Sequence, residues 1–328
     1  MRENTVVNKK KFLWYNLAFM SFTCVWSFFN IINGFAHYNG THAIGSWLIV
    51  FLLYFIPYAL MVGELGSTYK TLGGGVSSWI GETLGKKIAY YAGWTYFVVQ
   101  LPYIANKPVN VLIATGWAIF KDKRVSLYDS RVLQLFGFIL FCFALYITSR
   151  GLNPLKKIAT LAGICSFAMS LMFIVMILSA PAITDVSFIK TNWSLSSFAP
   201  KFNVTWFANL SILIYAVGGC ERISPYVNKA KNPSRDIATG MIVLTVMVSI
   251  TAVLGTIALG MMFESNNIPS DLVTNGEYYA FQLLGEYYGL GNIFVTFLNT
   301  PPETVPLDRT NGALRPLKWC MVTAVMVH

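Results

Sequence analysis

The stretch 215-YAVGGCERISPYVNKAKNPSRD-236 decides how this chain is read. The run before it, residues 202–214, carries no charge. Then Gly218-Gly219, Glu221 and Arg222 arrive in quick succession. Paired glycines open backbone conformations closed to other residues and weaken a helix. A carboxylate at such a break is satisfied by freed backbone N–H groups or by a cation. Alternatively, the glycines allow close helix packing and Glu221 pairs with Arg222 at the membrane interface. Pro225 and Tyr226 still precede the charged loop, so Glu221 reads as lying inside the apolar span.

That span belongs to a chain built for lipid. Only 12% of the 328 residues are charged and 55% are hydrophobic, whereas a soluble domain carries about 25% charge. Seven stretches have the length and apolarity needed to cross ~30 Å of hydrocarbon: 12–35, 44–69, 88–120, 132–149, 158–183, 202–226 and 237–263. An eighth starts near Leu290 and fails after Asn299. The first stretch is too long for a signal peptide and lacks a small-residue cleavage site. The expected class is all-α, a polytopic helical membrane protein. The five cysteines have no metal-ligand spacing and read as small buried thiols. The three histidines, His37, His42 and His328, sit in no catalytic motif. An enzyme, a metal and a cofactor are therefore not expected.

Basic residues crowd the cytoplasmic loops of membrane proteins. With the N-terminus inside, the inner set is Arg2, Lys9–Lys11, Lys70, Lys86, Lys87, Arg150, Lys156, Lys157, Arg222, Lys229, Lys231 and Arg235. The outer set is Lys121, Lys123, Arg124, Arg131, Lys190 and Lys201. The ratio of 14 to 6 predicts a cytoplasmic N-terminus. Facing anionic lipid, these loops account for most of the net charge of +10, so no nucleic-acid partner is needed.

Two further places carry polar residues at a depth where they are expensive. In the first span, Asn30, Ile31, Ile32, Asn33 and Gly34 read either as an interhelical hydrogen bond or as an unwound stretch lining a cavity. In the third, Lys107 lies between Pro102 and Pro108. It is a candidate functional cation or a snorkelling side chain. Interruptions in the first and sixth spans correspond if the chain is built from five-helix repeats, and an odd repeat inverts the second copy. The expected organisation is a tail, 1–11; a first repeat, 12–183; a partial second repeat, 202–299; and a tail of other character, 300–328.

The Gly-x-Glu and Lys-Asn-Pro-x-Arg elements of 215–236 resemble the sixth-segment signature of the amino acid–polyamine–organocation transporters. GELGSTYKTLGGGVSSWIGETLG at 63–85 is similar to the end of that family's second segment. Within that family the chain resembles the bacterial glutamate/GABA antiporter-like branch. The resemblance spans about residues 12–299. It implies a LeuT-like inverted-repeat fold of twelve helices, an amino-acid substrate and alternating access by antiport or proton coupling in the cell membrane. It implies that the broken first segment, mapped to Asn30–Gly34, binds the substrate with Gly218 and Gly219. It also implies that Tyr215 is an outer gate and that Glu221 takes part in proton-linked gating. Lys107 is a further candidate for proton coupling. The deep fifth-segment lysine of some relatives has no counterpart here. The residues present there are Cys165, Ser166 and Ser170.

After Asn299 the chain departs from the pattern. Pro301, Pro302, Pro306 and Pro316 fall where a membrane helix should continue. The expectation is a chain in which segments eight to twelve are missing, through a frameshift or as a fragment. The rival reading is a non-transporting membrane sensor or an inactive truncated derivative.

Overall fold

The computed structural model describes residues 12–120, 125–183, 194–265 and 267–288. The expected tails at 1–11 and 300–328 and the start of an eighth span lie outside the described residues. Apart from an isolated bridge between Phe12 and Ala230, no strand is present among the described residues.

The first span is two helices, α1 (Trp14–Val25) and α2 (Phe28–His37), bent by 41° at their junction. The second runs from Gly40 to Thr68 through α3 (Ala43–Val50), a π-helical stretch at Phe51–Phe55 and α4 (Ile56–Thr68). Pro57 explains the wide turn. It has no N–H to donate and its ring crowds the carbonyl four residues back, and a local π adjustment relieves both. Next come α5 (Val76–Leu84), α6 (Lys86–Phe120), α7 (Ser130–Ser149), α8 (Leu152–Ile183) and the short α9 (Leu195–Phe198). The sixth span is α10 (Val204–Val217) and a 3₁₀ segment, Cys220–Lys229. Then follow α11 (Pro233–Met262), α12 (Ser270–Asn275) and α13 (Glu277–Tyr287).

Five helical spans among the described residues are long and apolar enough to cross a membrane, and the bent α1–α2 pair makes a sixth. The remaining expected span, the third, is α6, which has 35 residues, or ~52 Å at 1.5 Å per residue. It is long enough, but Lys86, Lys87, Gln100, Asn106, Lys107 and Asn110 keep it less apolar than the others.

α11 is the centre of the bundle and packs against α1, α4 and α8. Small residues set the approach. A Cβ on Gly163 of α8 would stand 2.2 Å from the Phe19 carbonyl oxygen of α1, and one on Gly255 of α11 would stand 2.6 Å from Ile31. In lipid, where apolar side chains gain nothing from leaving the solvent, such close backbone packing carries helix association. The outward faces are apolar: Leu135, Phe138 and Phe143 of α7 are all exposed.

Candidate functional site

The opening stretch folds as a broken helix. α10 stops at Val217, Gly218 is extended, and Gly219 takes φ 105, a conformation that strains any side chain. The chain resumes as a tight 3₁₀ segment rather than an α-helix because Pro225 sits inside it. The glycine-rich loop of the second motif meets this segment. A Cβ on Gly73 would stand 2.4 Å from Asn228 Nδ2, and one on Gly75 3.4 Å from Ser224 Oγ.

The break in the first span lies earlier than expected. Trp26 and Ser27 are extended, whereas Asn30–Gly34 are helical within α2. Ile31 and Ile32 are core residues, and Gly34 lets α2 approach Trp47, 2.7 Å from where its Cβ would be. No glycine or proline marks the true break. Tertiary contacts hold it open by taking up the carbonyls it frees. The Arg222 guanidinium donates to the Cys24 carbonyl at 3.5 Å. Asn30 Nδ2 faces the Val25 carbonyl at 3.5 Å and the Ala216 carbonyl at 3.2 Å. Asn30 is thus a helical residue whose side chain ties together the ends of two interrupted spans.

The two breaks touch. The position of a Gly219 Cβ would be 3.2 Å from the Cys24 carbonyl oxygen and 3.2 Å from Arg222 Nε. Glu221 does not form the interfacial pair with Arg222 considered above. Tyr58 of α4 donates to one of its carboxylate oxygens, and Tyr96 of α6 donates to the other at 3.2 Å. Arg222, counted in sequence among loop cations, instead lies half-buried with its guanidinium 5.1 Å from the Tyr103 ring centroid. Lys107 Nζ lies 4.7 Å from the same ring. A cation over an aromatic face is favourable by about 0.5–2 kcal/mol. Lys107 is also close enough for its charge to act on Cys24 and Glu277. The structure therefore brings Asn30, Gly218, Gly219, Glu221 and Lys107 to one region. Tyr215 is 74% exposed on α10, away from the buried Leu213, Ala216 and Val217. Tyr58, Tyr96 and Tyr103 were not among the sequence candidates. An aromatic residue in an aromatic-rich helix carries no mark of its partner.

The arrangement presents opposite partial charges. The ends of α1 and α10 offer carbonyls, and the start of α2 offers N–H groups that Ser27 leaves without a side-chain cap. Among the described residues no group of His, Cys, Asp and Glu is placed to hold a metal ion.

Known proteins share the sequence behind this geometry. The profile of the amino acid permease family matches residues 12–300. The aspartate/glutamate permease AcaP of Lactococcus lactis subsp. cremoris is 46% identical over 292 residues, 88% of this chain and 60% of that protein. The inner membrane transporter YjeM of Escherichia coli K12 is 24% identical over 74% of this chain and 50% of its own length. A glutamate/gamma-aminobutyrate antiporter of Lactococcus lactis subsp. lactis is 22% identical over 65% of this chain and 42% of its own. The chain thus spans at most 60% of the length of these relatives. With the match running from the start of the first span through both breaks, this multi-pass membrane protein belongs to the amino acid permease family.

Proposed function

We propose that the chain carries the substrate-binding half of a secondary amino-acid transporter working by alternating access. The observation that carries this reading is the meeting of two interrupted spans at Cys24–Ser27 and Gly218–Gly219. An α-amino acid has one cationic and one anionic group. Carbonyl-bearing helix ends suit its ammonium group and the N-terminus of α2 suits its carboxylate. Arg222 and Lys107 add positive charge on the side of the break that faces α6. A second carboxylate is therefore welcome, and acidic amino acids, for which the Lactococcus relative is named, are the first class to test. A first five-helix repeat, 12–183, and a partial second repeat, 202–299, remain the proposed organisation, with the N-terminus cytoplasmic in the cell membrane. In this reading Glu221 and Lys107 take part in gating and proton coupling, and Tyr215 is a gate that closes from the exposed side of α10.

The test is equilibrium binding of radiolabelled L-aspartate, L-glutamate and neutral amino acids to the purified protein, compared with Gly219→Leu. The expected result is saturable binding of at least one amino acid and its loss in the variant, whose side chain would need φ 105 and the space against Cys24 and Arg222. Equal binding by a folded Gly219→Leu protein would sink the broken-helix site.

A further inference from the structure

From Ser265, which lies against Gly40 at the end of the bundle that carries His37–His42, the chain leads through α12 and α13 to the break in the first span. Gly276, at φ 54, turns the chain from one into the other. A Cβ on Gly276 would stand 2.6 Å from a ring carbon of Phe29, so this turn is seated on the first turn of α2. One turn on, Phe281 packs against Phe28 and Phe173, with ring centroids 5.2 Å and 5.1 Å away. Tyr278 stacks on Trp117 of α6 at 5.6 Å. The Tyr288 hydroxyl donates to the Met176 carbonyl of α8 at 2.6 Å. The segment is thus a lid with an aromatic underside resting on α2, α6 and α8.

Glu277 is out of keeping with that underside. It is the first residue past the Gly276 turn, and its Oε2 atom is fully buried without a hydrogen-bond partner. A buried carboxylate oxygen with no donor is costly. Burial pushes the carboxyl up from 4.5 to about 7, against the opposing pull of the Lys107 ammonium and the Phe29 backbone N–H. Other ionisable groups lie on the packed elements. α2 carries His37 at its far end. α8 carries Lys156, Lys157 and Cys165 in the half that packs on α1, and α12 contributes Asp271. On α13 itself, Tyr278 adjoins Glu277, and its phenol is pushed up by burial and by the Glu277 charge. Tyr279, Glu286 and Tyr287 follow along the helix.

We propose that Glu277 is a proton-binding site that latches this lid: the neutral carboxyl seats α13 on the start of α2, and ionisation releases it. The docked carboxyl binds its proton more tightly than a solvated one. Docking is therefore most favoured below about pH 4.5, weakens as pH rises from there to about 7, and levels off above that value. With Glu277 neutral, no like charge stands near the N–H groups of α2.

Amide hydrogen exchange across 272–287, measured on the purified protein in nanodiscs and corrected for intrinsic rates, tests the latch. Protection should fall about fourfold from pH 6.5 to pH 8.5. Glu277→Gln, neutral throughout, should keep the pH 6.5 protection at both values. Equal protection of the unmodified protein at both pH values overturns the proposal, as does an unaltered pH slope in Glu277→Gln. If the Gln variant is not monodisperse, Lys107→Met decides: loss of the favourable charge must move the midpoint to higher pH, and an unmoved midpoint overturns the latch. The readout needs no substrate, so it stands or falls apart from the transport reading.

Discussion

At the scale of single residues, Asn30 carries more of the site than any other side chain that sequence pointed to. Its amide joins the Val25 and Ala216 carbonyls, one from each interrupted span. Asn30→Ala leaves both acceptors without that donor and should lower stability by about 1–3 kcal/mol. Asn30→Asp should cost more at pH 8, because a carboxylate would face two carbonyl oxygens. Thermal unfolding of the two variants in one detergent compares them directly, and an Asp variant as stable as the Ala variant would remove Asn30 from this role. Glu221 invites a different experiment. Its carboxylate is engaged by Tyr58 and Tyr96, and hydrogen bonds to charged groups contribute about 1.5–3 kcal/mol each. A double-mutant cycle of Tyr58→Phe with Glu221→Gln should give a coupling of at least about 1 kcal/mol. Strict additivity would show that the contact holds nothing together.

At the scale of elements, the packing of α8 on α1 is the most sharply limited contact. The Gly163 Cβ position is occupied by the Phe19 backbone carbonyl, with 2.2 Å between them. Backbone gives way less easily than a side chain, so Gly163→Leu must push the helices apart. Overpacking typically costs about 1–3 kcal/mol and more where nothing flexible can move. The expected outcome is a lower unfolding temperature and loss of the monodisperse peak in size-exclusion chromatography. Gly85→Leu is the control for a glycine with open space around it, although its φ of 90 adds strain of its own. If Gly163→Leu elutes and melts as the unmodified protein does, α1 and α8 are not packed this closely.

At the scale of the whole molecule, orientation is the property to test. Ser196 is exposed at the end where Thr41 bonds to the Ser197 carbonyl, and Asn232 is exposed at the end where Phe12 pairs with Lys229 and Lys231. In a background without native cysteines, Ser196→Cys should react with an impermeant thiol reagent in intact cells, and Asn232→Cys should react only after permeabilisation. The reverse pattern would invert the topology. The burial of Arg222 removes one cation from the inner set of 14. That change leaves the bias standing, because the remaining thirteen still outnumber the six outer ones.

The amino-acid sequence by itself determined the class, the spans and the second break. Apolar length and scarce charge dictate lipid as solvent, and Gly218-Gly219 with Pro225 interrupt a helix through their own backbone chemistry, whatever surrounds them. Only the tertiary structure decided the first break. Cys24–Ser27 contains no residue that forbids a helix, so nothing local places it. The break persists because Arg222 and Asn30, far apart in the chain, take up the carbonyls it frees. The same reason hid Tyr58, Tyr96 and Glu277. A tyrosine or a glutamate shows its role only once folding has chosen its partner, and these partners lie 163, 125 and more than 100 residues away.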